Sequence, residues 1–186
     1  MFYSLDDGKK LIQLARASIK NKDFSVKGFE EKRGVFVTLY SYPEKELRGC
    51  IGFPEPVEKL KEAVKDAAKS AASRDSRFKS ISENEEFVIE ISILTEPKLA
   101  EDLEKIKIGK DGLIVDFRGQ RGLLLPQVFV EWKADIKQAL EMTCEKAGLK
   151  KDCYKEKNCK FYKFQAQIFA EKTPNGKVIE KKDKYI

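Results

Sequence analysis

Leu60, Ala63, Val64, Ala67, Ala68, Ala71 and Ala72 recur at three- and four-residue spacing, the period of a single helix face. Five of these seven side chains are alanines. A face so small buries itself only against a surface that approaches closely, and the pattern predicts a helix lying on a β-sheet. Pro56 is placed at its start, where a missing N–H costs little. Lys61, Lys65 and Lys69 share the opposite side and read as a solvated row.

The strands to form that sheet are legible in the same way. Residues 34–41 alternate Val35, Val37 and Leu39 against Phe36, Thr38 and Tyr40, and LRGCIG at 47–52 reads as a second, short strand. In 87–94, Phe87, Ile89, Ile91 and Ile93 face the core while Glu90 and Ser92 take the other side. GLIVDF (112–117) and GLLLP (122–126) are further strands joined by the RGQR turn, and KFYKFQAQIFAEK is a last strand before a polar tail with a PNG turn.

Two other helices are expected. Ser4 with Asp7 three residues on forms a capping box ahead of Leu11, Ile12, Ala15 and Ile19. Residues 133–147 place Ile136, Ala139, Leu140, Thr143, Cys144 and Ala147 on one face, with Gly148 as the stop. Helices and strands interleave while several strands are near neighbours, which favours an α+β fold with a mostly antiparallel sheet. No repeat or low-complexity linker divides the chain, so residues 1–186 read as a single domain.

Composition bounds the chemistry. The chain has 186 residues with 41% hydrophobic and 37% charged, enough to bury a core. The lysine–glutamate enrichment resembles the surfaces of proteins from hot environments. A net charge of +6 permits nucleic-acid or phosphate-bearing partners and equally suits an ordinary soluble protein. The start lacks the pattern of a signal peptide, and GLLLPQVFVEW is too short and too interrupted to cross a membrane. A cytoplasmic chain without membrane attachment is expected.

Histidine is absent from the chain. That excludes Ser-His-Asp and Cys-His catalysis within one subunit, and histidine-ligated zinc or iron. The four cysteines, Cys50, Cys144, Cys153 and Cys159, contain no CxxC pair, so neither a metal site nor a cofactor is expected. Cys144 falls on a core face. Cys153 and Cys159 are expected as free, partly exposed thiols, with a bridge across KEKN as the alternative. No GxxxxGK or GxGxxG occurs, and GKDG (109–112) reads as a turn.

The chemistry-bearing stretches are then few. In LRGCIG, Arg48 and Cys50 sit two apart on an extended segment and share a face, where a guanidinium favours a thiolate. Gly49 and Gly52 admit a ligand or another backbone. The stretch is an activated nucleophile, an anion cradle, or a β connection around a buried thiol. Arg74 and Arg77, flanking Asp75, either grip a phosphate or carboxylate or complement a helix C-terminus. The lysine-rich segment with Tyr154, Phe161, Tyr162 and Phe164 either tracks a single-stranded nucleic acid or is a charged loop before a strand.

LRGCIG is followed in order by AAxxDxRF (Ala71 to Phe78), EISIL (Glu90 to Leu94), GxxGLIV (Gly109 to Val115), GLLLPQV (Gly122 to Val128) and CEKAGL (Cys144 to Leu149). This series resembles the AMMECR-one family, in an archaeal-type member, over nearly the whole chain. The resemblance implies a larger and a smaller subdomain around a cleft, with a core likened to the RAGNYA fold, and it implies no established reaction. It carries Arg48, Gly49, Cys50 and Gly52 over as site residues, with Arg74, Asp75, Arg77 and Gln127 as possible neighbours. It also implies association with Memo-type or radical-SAM proteins. The chain departs from the family in having Ser76 where proline is common, and Asp111 where histidine often stands.

The leading expectation is a cleft at LRGCIG that binds an anionic or nucleotide-like ligand. In an enzyme, Cys50 would be the nucleophile or thiol donor, Arg48 its activator and anion clamp, and Glu90 a proton acceptor. The alternatives are a non-enzymatic nucleic-acid-binding module, and an adaptor for a Memo-type or radical-SAM partner.

Overall fold

The computed structural model describes residues 3–181. In chain order these form α1 (Leu5–Ile19), β1 (Val35–Ser41), β2 (Leu47–Phe53), α2 (Leu60–Ser73), β3 (Phe87–Leu94) and β4 (Lys98–Leu99). There follow β5 (Gly112–Phe117), β6 (Gln120–Leu124), α3 (Pro126–Glu131), α4 (Ile136–Lys146), β7 (Lys160–Phe164), β8 (Ala166–Glu171) and β9 (Val178–Lys181). The fold is α+β, as expected, and the described residues separate into two compact units. The larger contains residues 3–94 and 167–181, and the smaller runs from Thr95 to Ala166.

In the larger unit the strand order is β2-β1-β3-β8-β9, with β2 and β3 both antiparallel to β1. The face formed by Val35, Val37, Leu39, Ile89, Ile91 and Ile93 packs with the apolar sides of α1 and α2 into one core. Every alanine of the α2 stripe is buried there, which is the close fit that the small side chains require. The second face of β3 is covered too, since Val88, Glu90, Ser92 and Leu94 are buried. At one end of the α1 face, the buried Arg16 donates from Nε to Glu171 Oε1 at 3.3 Å and from Nη2 to the Phe87 carbonyl at 2.9 Å. Nη2 also pairs with Glu171 Oε2, which in turn accepts the Ile89 N–H at 2.9 Å.

The smaller unit has the strand order β4-β7-β5-β6. Its core gathers Leu113, Val115, Phe129, Ala139, Leu140, Cys144, Cys153 and Phe161. The β5–β6 hairpin closes through Arg118 and Gly119, both at positive φ (52° and 81°), as a two-residue hairpin turn demands. Asp111 is 3% exposed. Its carboxylate accepts the Lys107 N–H at 3.0 Å and the Gln165 side-chain amide at 3.0 Å, so it ties GKDG into a closed turn.

Several boundaries differ from expectation for local reasons. Ser4 and Asp7 form the expected capping box of α1. The alanine helix, however, begins at Leu60 and not at Pro56, because Lys59 is extended (φ −61°, ψ 138°) and bridges to Lys32. The lysine row is less solvated than read: Lys61 pairs with Glu30, and Lys65 with Glu62 at 3.1 Å. Pro126 opens the short helix α3 where a strand was expected to end. The helix read from 133 starts at Ile136, capped by Asp135.

The run KFYKFQAQIFAEK is two strands, not one. It breaks at Gln165, and β7 and β8 belong to different sheets. The PNG turn is present, with Asn175 at φ 56°, but the polar tail beyond it returns as β9, antiparallel to β8. Among the described residues no helix is long and apolar enough to cross a membrane.

Candidate functional site

LRGCIG forms β2, at one edge of the larger unit's sheet. An edge strand leaves alternate N–H and C=O groups without a ladder partner. At Cys50 both groups are met by side chains. The Cys50 N–H donates to Asp75 Oδ2 at 2.9 Å, and the Cys50 carbonyl accepts from Arg77 Nη2 at 3.3 Å. Arg77 also grips Asp75 through Nε at 2.9 Å and Nη2 at 2.7 Å. The Asp75–Arg77 pair therefore stands in for a missing neighbouring strand.

The turn that presents this pair is built locally. Residues 75–78 close with the Phe78 N–H on the Asp75 carbonyl at 3.0 Å, and Asp75 Oδ1 accepts the Arg77 N–H at 3.2 Å. The aspartate thus makes the side-chain turn bonds itself, with Ser76 at the second position of the turn. Its side chain is 4% exposed. The Arg77 guanidinium, with the main-chain N–H groups of Cys50 and Arg77, holds its carboxyl well below the usual carboxylate range against the opposing effect of burial.

Because the Cys50 main chain points outward, Cys50 and its partner Thr38 on β1 are a non-hydrogen-bonded pair, the kind whose side chains stand closest. The Thr38 hydroxyl donates to Cys50 Sγ at 3.3 Å. On its other side Thr38 faces Glu90 of β3. Cys50, Thr38 and Glu90 thus form one row across three adjacent strands, on the sheet face turned away from α1 and α2. Glu90 is 8% exposed and ion-paired with Lys181 of β9. A thiol, a hydroxyl, a carboxylate and an ammonium share this face.

Arg48 is placed differently from its expected role. The β1–β2 register slips between Leu39 and Tyr40, leaving Arg48 as the extra residue of a bulge. Its guanidinium takes Glu85 with Nε and Nη2, the latter at 3.1 Å, and donates to the Lys79 carbonyl at 3.3 Å. Arg48 in turn draws the Glu85 carboxyl below its ordinary value. The arginine bonded to Cys50 is Arg77, through the main chain. Its side chain stays 57% exposed and stacks over the Phe78 ring at 5.3 Å.

Of the remaining expected site residues, Gly49 admits a backbone: a Cβ there would lie 2.0 Å from the Ala71 carbonyl oxygen of α2. Gly52 lies against Phe36 and Val35 of β1. Arg74 is the exposed C-cap of α2. Gln127 belongs to the smaller unit, at the second position of α3. Sequence reasoning missed Thr38 and Glu85. Thr38 carried a usable signal as the polar residue inside VFVTLY, whereas nothing local marks Glu85.

The other cysteines lie in the smaller unit. Cys153 is buried, contrary to the partly exposed thiol expected, and its Sγ is 3.6 Å from that of half-buried Cys159. Burial and the contact with Cys153 push the Cys159 thiol up to about 12, and the same causes raise Cys144. Phe161 and Phe164 of the basic–aromatic segment are each 2% exposed. No group of three acidic or cysteine side chains among the described residues is arranged to hold a metal ion.

Comparison with known proteins places these features in context. The AMMECR1 family model matches residues 10–169. Protein MJ0810 of Methanocaldococcus jannaschii is 48% identical, with 96% of this chain and 97% of that protein covered. Protein MK0488 of Methanopyrus kandleri is 46% identical over 96% of this chain and 95% of its own length. Among solved structures, the uncharacterized protein PH0010 from Pyrococcus horikoshii is similar with a TM-score of 0.81 at 42% identity, covering 95% of this chain and 97% of that one.

Proposed function

The chain belongs to the AMMECR1 family, and from that premise we propose that its LRGCIG edge binds an anionic, nucleotide-like ligand on which Cys50 acts as nucleophile. The observation that carries this reading is the Thr38 hydroxyl donated to the Cys50 sulfur at 3.3 Å. That hydroxyl fixes the orientation of the Cys50 side chain, and cysteine is an intrinsically strong nucleophile. Arg77 keeps more than half of its side chain open to solvent beside that residue, where its outer N–H groups suit the ligand's anionic group. Glu90, next in the row and ion-paired with Lys181, adds a carboxylate to the same face, and the thiol proton leaves to solvent.

The test is alkylation of the whole protein across a pH series, with each cysteine followed by peptide mass spectrometry. A fast Cys50, protected by a nucleoside monophosphate and no longer protected in Arg77→Ala, supports the reading. A Cys50 as slow as Cys144, indifferent to nucleotides and to inorganic phosphate, overturns it.

A further inference from the structure

A cavity lies in the larger unit, between α1 and the β8–β9 hairpin, with a volume of about 380 Å³. That is at the lower end of the range for small-molecule sites, roughly 300–1,000 Å³. Leu5, Ile12 and Val178 give it apolar walls, while Lys9, Arg16 and Lys177 bring cationic groups to it. Glu171 also lines it, but both carboxylate oxygens are engaged by Arg16, and one of them also by the Ile89 N–H.

Arg16 is the informative residue. Its side chain is only 10% exposed, its guanidinium lies over the Phe87 ring at 4.5 Å, and its hydrogen bonds to described residues use Nε and Nη2. The Nη1 group has no hydrogen-bond partner among the described residues. Lys9 and Lys177 are exposed and likewise have no ion-pair partner among the described residues. With Glu171 neutralised by Arg16, the cavity keeps two uncompensated positive charges over an apolar floor. Nothing in the core requires that arrangement, because the Arg16–Glu171 pair would be complete without the lysines.

We propose that this cavity is a binding site for a small organic anion, a carboxylate or phosphate monoester with a short apolar body. The anionic head sits between Lys9 and Lys177 and reaches Arg16 Nη1, and the body lies on Leu5, Ile12 and Val178. The Asn175–Gly176 turn, which also lines the cavity, closes one side of it. The site is independent of Cys50 and of the reading given for LRGCIG.

Backbone amide NMR titration tests it with hexanoate, hexyl phosphate, inorganic phosphate and sodium chloride as probes. Saturable shifts at Lys9, Gln13 and 175–178 are expected for hexanoate or hexyl phosphate at millimolar concentration, and whichever of the two binds more tightly names the head group. The exposed double variant Lys9→Glu/Lys177→Glu, which leaves the buried pair intact, should weaken that binding by about tenfold or more. No saturable shift with either organic probe overturns the proposal, as does unchanged affinity in the double variant. Inorganic phosphate binding as tightly as hexyl phosphate also overturns it, since the apolar walls would then contribute nothing.

Discussion

Asp75 accepts the Cys50 main-chain N–H at 2.9 Å, the bond a neighbouring strand would otherwise supply at this sheet edge. LRGCIG and the turn at residues 75–78 are therefore one structural unit: the second covers the hydrogen-bonding edge of the first. The arrangement leaves the Cys50 side chain free to meet Thr38 while its main chain is fixed from outside.

Asp75→Asn tests this directly. The carboxyl is held below its usual range in the folded state, so in the unfolded chain it takes up protons first as pH falls. The stability it contributes is present above an unfolded value of about 4 and is lost as pH drops below it. Asp75→Asn should cost about 1–3 kcal/mol at neutral pH and flatten the acid limb of a stability–pH curve measured by urea denaturation. An unchanged acid limb would show that the pair contributes nothing to the pH dependence.

Thr38→Val keeps the shape of the side chain and removes the donor to sulfur. Alkylation of Cys50 at neutral pH should slow by about fivefold, the worth of one ordinary hydrogen bond, while Thr38→Ser stays near the original rate. Equal rates in all three proteins would detach Thr38 from the thiol.

Ser76 occupies the second position of a turn closed from Phe78 to Asp75, a position that favours proline. Ser76→Pro should raise stability by about 0.4–1 kcal/mol through the unfolded chain, read as a higher denaturation midpoint at unchanged slope. A lower midpoint would mean that the backbone at Ser76 does not fit the ring.

Gly49→Ala would place a methyl group 2.0 Å from the Ala71 carbonyl oxygen. Helix α2 must then move off the sheet, at a cost of about 1–3 kcal/mol, and the melting temperature reports it. An unchanged melting temperature would contradict the close approach.

Three of the thiols should separate by rate. Burial raises Cys144 and Cys159, so both should alkylate slowly at neutral pH, and Cys50 should be modified ahead of them in the native protein. In denaturant the rates should converge. A native Cys159 as fast as Cys50 would contradict the burial-raised thiol.

Much of the larger unit was legible because its signals are local. The alternation in β1 and β3, the alanine stripe of α2 and the Ser4 capping box each follow from neighbours within a few residues. The break at Gln165 was not. KFYKFQAQIFAEK carries no glycine or proline, and what ends β7 is tertiary: the Gln165 N–H goes to Thr95 Oγ1 and its side chain to Asp111. The candidate site divides in the same way. Cys50 and Asp75 were named from motifs, but that Arg77 and not Arg48 bonds to Cys50 depends on a bulge and on Glu85, some forty residues along the chain.

The smaller unit interrupts the larger one in sequence, between Leu94 and Gln167. A ribosome therefore delivers α1, β1, β2, α2 and β3 long before β8 and β9, and completes the smaller unit in the interval. During that time Arg16 has no Glu171 and β3 has an open side. Whatever protects the nascent chain must do so across the synthesis of the whole inserted unit, which makes the interval between Leu94 and Glu171 the vulnerable stage of this protein's biogenesis.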